Sequence, residues 1–99
     1  MSRKLSNPSN ATFIQAAESY CIMFLENGNK NVKTRPMKFF EEALKNYGWC
    51  RIHRSFMVNP LFIKQISEGQ DSIFLQDGTI LPISRRNRKS VLRWRNTTI

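Results

Sequence analysis

Ninety-nine residues, 40% hydrophobic and 23% charged, make one globular domain with its own core and a high surface fraction. Sixteen Lys+Arg against seven Asp+Glu leave a net charge of +9, which points to a polyanionic partner. No apolar run approaches the roughly 20 residues a membrane span needs, and one His with two distant cysteines, Cys21 and Cys50, offers no metal-ligand spacing.

Residues 1–11 are polar, rich in Ser, Asn and Pro and without an apolar h-region, so they are expected to be a disordered tail, neither signal peptide nor anchor. The domain is expected over 12–99. Phe13-Ile14-Gln15-Ala16 reads as a short strand, Ala17-Glu18-Ser19 as a connection, and Tyr20 to Leu25 as a buried, almost continuously apolar strand. Asn27-Gly28 predicts a two-residue primed turn into the half-exposed strand Lys30 to Thr34. From Pro36 the period changes: Met37, Phe40, Ala43 and Leu44 form one stripe, predicting a helix to about Asn46 that is closed by Gly48. Glu41 and Glu42 are expected to face outward; adjacent on a helix and far from the only His, they make a poor acid–base pair.

Trp49 to Ile52 and Phe56 to Val58 read as strands, with a break at Asn59-Pro60 where the Asn side chain is expected to cap local backbone. Leu61 to Ile66, Ser72 to Leu75 and Thr79 to Ile83 complete a set of short strands, separated by turn signals at Gly69 to Asp71 and at Asp77-Gly78. The fold class is therefore mostly β, antiparallel, with one or two short helices. Ser84 reads as the N-cap of a last helix, and from Ser84 to Arg95 there are six basic residues and no acidic one. Cations at a helix start oppose the dipole unless an external anion, such as phosphate, sits there.

One His, scattered carboxylates and no Gly-rich loop argue against an enzyme. No cofactor and no metal are expected. An anionic membrane surface is disfavoured, since no long amphipathic basic helix is evident. Reduced thiols in a cytoplasmic protein are the default reading of Cys21 and Cys50, a disulfide the alternative.

The strings Arg51-Ile52-His53-Arg54-Ser55-Phe56-Met57-Val58-Asn59 and Leu81-Pro82-Ile83-Ser84-Arg85-Arg86 with Lys89 stand out, together with Ile63, Ile66, Asp77-Gly78 and the upstream Ile14 to Tyr20. In these segments, which cover about residues 12 to 95, the chain resembles the LytTR-type DNA-binding domain of bacterial transcription regulators. The resemblance implies an elongated fold of short antiparallel strands whose loops enter successive major grooves. It maps the reading residues onto the loop at Tyr20 and Cys21, onto His53 and Arg54, and onto Arg85 and Arg86. Ala17-Glu18 stands where the family usually has Asp-Gly. A receiver or sensor domain usually precedes such domains; with none before residue 12, the chain reads either as a domain cut from a longer protein or as a naturally short regulator with a receiver or sensor domain supplied elsewhere.

The chemistry of the residues supports two of these positions independently. Arginine donates a bidentate pair to guanine O6 and N7, which suits Arg54 and Arg86, whereas Arg88 and Lys89 are better placed on phosphates. His53 also has a plain packing reading, and Trp49 and Trp94 are expected in the core. The expected partner is double-stranded DNA, with two copies on direct repeats implied by the resemblance; the alternative is a small basic RNA-binding accessory protein.

Overall fold

Which residues face which core is decided by alternation along the strands. The computed structural model describes residues 7–98, with side chains described through Trp94. Strands β1 (Ala11–Ala17), β2 (Tyr20–Leu25), β3 (Lys30–Lys33), β4 (Cys50–His53) and β5 (Phe56–Val58) form an antiparallel sheet in the order β3-β2-β1-β5-β4. Strands β6 (Ile63–Ile66), β7 (Ser72–Leu75) and β8 (Ile80–Pro82) form a second sheet, antiparallel in chain order. Helix α1 (Met37–Leu44) joins β3 to β4, and α2 (Arg88–Thr98) follows β8.

The five-stranded sheet is covered on both faces. On one, Ile14, Cys21, Met23 and Met57 pack with Met37, Phe40 and Leu44 of α1 and with Trp49. On the other, Phe13, Cys50, Ile52 and Val58 pack with Ile73, Leu75, Leu81 and Ile83 of the second sheet side and with Val91 of α2. Each large aliphatic side chain so buried is worth about 1.5–3 kcal/mol. The fold is thus mostly β with two short helices, as the sequence implies, and its extents of 41 × 28 × 24 Å make it elongated.

Four expectations differ from what the chain does. The tail predicted over 1–11 falls outside the described residues at 1–6; at 7–11 the backbone turns, with Ala11 N–H donating to Pro8 O, and β1 begins at the fully buried Ala11. Asn7 is held as well, its Oδ1 accepting the Trp49 indole N–H at 3.1 Å. The Asn27-Gly28 turn is a three-residue loop: Gly28 N–H donates to Leu25 O, Leu25 N–H to Asn29 O, and Gly28 adopts φ 90°. Gly78 repeats this geometry at φ 95°, so both glycines serve as the left-handed residue of a bulged turn. Ser84 occupies an N-cap position without capping, because its hydroxyl accepts from the Asn87 side chain; a 3₁₀ turn, Arg85–Asn87, precedes the helix proper. Glu41 does not simply face solvent but reaches the sheet, as described below. Asn59 does cap: it accepts from Leu61 N–H and donates to Ala11 O, fully buried.

Candidate nucleic-acid interface

Antiparallel connectivity brings three segments to one end of the five-stranded sheet. The β1–β2 turn at Glu18-Ser19 adjoins the β4–β5 turn at Arg54-Ser55, because Ala16 N–H donates to Ser55 O at 2.8 Å. Beyond β4, Ser84 N–H donates to Ile52 O at 2.9 Å, closing that strand's free edge and setting Arg85 and Arg86 beside His53 and Arg54. With strands spaced at about 4.8 Å, the three segments lie within roughly 15 Å of one another.

A β-bulge shapes the middle segment. Arg51 pairs with Met57 and His53 with Phe56, so Ile52 is the extra residue. The bulge re-aims His53 onto the side of Phe56, with ring centroids 5.7 Å apart. Arg51 stays on the α1 face. His53 is half-buried, and its Nδ1 accepts the Ser55 N–H at 3.0 Å, so a neutral ring carries its proton on Nε2.

Arg54 and Arg86 are exposed and line one cleft of about 350 Å³ with Glu41, Arg51, His53, Ser84 and Asn87. Among the described residues neither Arg54 nor Arg86 is paired with a carboxylate. The cleft's acidic side chain is taken by Arg51, whose Nη1 lies 2.9 Å from Glu41 Oε1. The rest of that guanidinium faces the turn: Nε donates to His53 O at 2.8 Å and Nη2 to Arg54 O at 2.6 Å.

The predicted contact residues divide on this geometry. His53, Arg54 and Arg86 come together, with the exposed Arg85 and Lys89 following Ser84. Arg88 is half-buried, and its Nε is buried without a hydrogen-bond partner. Tyr20 is 38% exposed beside the first turn, whereas Cys21 is wholly buried in the α1-side core. Cys21 is therefore a correction: the alternation that turns Tyr20 out turns Cys21 in, away from any base edge. Burial pushes its thiol above the usual value, against the pull of the Arg51 charge. Cys50, in the opposite core, is pushed up to about 12 by burial and then by the Glu41 charge. Both are free, buried thiols.

Sequence reasoning missed Arg51 and Glu41. Their pairing across a helix and a strand leaves no local signal, although the position of Arg51 between the inward-facing Cys50 and Ile52 does predict its face. It missed Lys33 as well, which stands opposite Cys21 and so near the same sheet end. Among the described residues no three His, Cys, Asp or Glu side chains gather to hold a metal ion, and no helix is long and apolar enough to cross a membrane.

The sequence model of the LytTr DNA-binding domain matches residues 2–96. The sensory transduction protein LytT of Bacillus subtilis (strain 168) is 32% identical in an alignment 77 positions long that covers 67% of this chain and 32% of that protein, so the chain spans about a third of that relative's length. A solved LytTr DNA-binding domain from Bacillus cereus superposes with a TM-score of 0.78 over 87% of this chain and 81% of that one, at 21% identity, a likeness of fold.

Proposed function

The chain belongs to the LytTr DNA-binding domain family, and from that premise we propose that it binds double-stranded DNA sequence-specifically as the reading part of a cytoplasmic transcription regulator, without catalysis. One observation carries the reading: Arg54 and Arg86, exposed and free of carboxylates among the described residues, share a single cleft at the cationic end of the sheet. Two guanidinium forks that close suit one major groove, about 12 Å wide, with each donating to a guanine edge. His53 Nε2–H is a third donor in the same reach. Arg85 and Lys89 hold the flanking phosphates, with Tyr20 and the β1–β2 turn about 10 Å away toward the next stretch of backbone. Two copies on direct repeats, each working with a receiver or sensor domain, complete the regulator.

RNA, the other polyanion the charge admits, has no support in the family match. Its deep, narrow major groove also shuts out side chains that a B-form groove accepts. The deciding experiment is selection from a random duplex library. Short, regularly spaced enriched sites support the proposal, and absence of enrichment sinks it. With about five phosphates neutralised, binding should weaken roughly five-hundredfold between 50 and 200 mM salt.

A further inference from the structure

Among the described residues, Glu41 is the one acidic side chain lining the Arg54–Arg86 cleft, and a carboxylate beside a phosphate-binding surface repels every polyanion alike. Its place there asks for a role other than contact. The turn it neighbours supplies one. Two-residue hairpin loops favour primed turns with positive φ, which match the twist of their strands. Glu18 obeys, at φ 47° in the β1–β2 turn; neither Arg54 nor Ser55 does. The β4–β5 turn therefore lacks the conformation that would hold it by itself. Side chains of β4 hold it: His53 Nδ1 accepts the Ser55 N–H, and the planar fork of Arg51 bonds the carbonyls of His53 and Arg54 while Glu41 fixes the fork's third corner.

We propose that Arg51 and Glu41 form a strut that determines specificity without touching DNA, aiming Arg54 by pinning the two carbonyls on either side of its Cα. This rests on the DNA-reading role given to Arg54 above. The strut explains a carboxylate in an anion-binding cleft: it neutralises and orients an arginine that is already spent on backbone. The pair is partly exposed, with side-chain accessibilities of 23% for Arg51 and 45% for Glu41. It therefore contributes little to global stability, and its effect is separable from unfolding.

The test compares affinity for the duplex enriched by the wild-type chain with affinity for a shuffled duplex of the same composition. Arg51→Lys keeps the charge but cannot span three acceptors in a plane; the specific-to-shuffled ratio should fall about tenfold. Glu41→Gln should tighten binding to the shuffled duplex while lowering the ratio, opposite signs that simple charge removal does not produce. In an Arg54→Ala background the Arg51→Lys effect on the ratio should vanish, because the strut acts through Arg54. Melting temperature and amide shifts outside residues 51–56 are read in parallel, and Glu41→Gln carries the test if Arg51→Lys fails to fold. A wild-type chain that prefers no sequence overturns the DNA reading and the strut together. A selective wild type whose ratio survives both substitutions, or an Arg51→Lys effect undiminished beside Arg54→Ala, overturns the strut alone.

Discussion

At one end of the molecule the turns are set by their own glycines at positive φ; at the other the β4–β5 turn has no positive φ and is held by side chains, those of Arg51 and His53 just before it and Glu41 on the helix. The self-held end carries the Leu25–Asn29 turn of the five-stranded sheet and the Leu75–Thr79 turn of the three-stranded one, whose acidic residues Glu26 and Asp77 line one cleft. Each closes with a glycine at positive φ and with a side-chain acceptor, Asn27 or Asp77, two residues before the N–H it binds. The other end carries Arg54 and Arg86, and its order comes from the Arg51–Glu41 pair, from Ser84 on Ile52, and from Ser55 on Ala16. Glu26 and Asp77 thus lie away from the cleft that Arg54 and Arg86 share.

The comparison breaks most severely in the core beneath the cationic end. Ile52 is fully buried and its carbonyl receives Ser84, so Ile52→Ala should cost about 2–5 kcal/mol of unfolding free energy in a denaturant titration. Loss below about 1 kcal/mol would mean that the two loops do not share a packed footing. Next, Arg86→Ala should cost roughly 1–3 kcal/mol of specific binding and relax preference at one base position, while Lys89→Ala weakens all duplexes alike and lowers the salt slope by about one. An unchanged ratio of specific to nonspecific affinity for Arg86→Ala would refute its base-reading role.

Smaller effects sharpen the self-held end. Gly28→Ala meets no atom within 4 Å, so only its positive φ is costly; about 1 kcal/mol of stability should go while sequence preference on DNA stays intact. Smallest is a pH effect at Asp77. The N–H of Thr79 holds its carboxyl below the ordinary value of 3.8, against a minor opposing effect of burial. Its folded value is depressed, so the stabilisation is complete above the unfolded value and is lost as pH falls through the lower, folded one. Asp77→Asn should flatten acid unfolding in that range, which circular dichroism would follow.

How much could be read beforehand follows the same division. Asn27-Gly28, Asp77-Gly78, the Met37-Phe40-Leu44 stripe and Gly48 at φ 86° announce themselves, because each acts within a few residues. Even there the loop length at Gly28 was misjudged, since Asn-Gly suits more than one turn type. Arg54 and Arg86 were legible as chemistry and through resemblance, but their common cleft depends on one backbone bond between Ser84 and Ile52. Cys21 was misplaced because position in a motif says nothing of which face a side chain takes. Ser84 was misread because Asn87, three residues on, claims the hydroxyl. Glu41 looked outward on its helix until β4 placed Arg51 against it.

The two cores also differ in a way that can be seen with light. Trp49 is buried in the α1-side core, while Trp94 packs against the other and donates its indole N–H to Gly48 O at 2.7 Å. Each layer thus owns one natural fluorophore. Emission from variants keeping a single tryptophan separates the melting of one layer from that of the other. Because Trp94 sits on the basic helix, its spectral shift on adding duplex reports, without an attached dye, whether that helix moves.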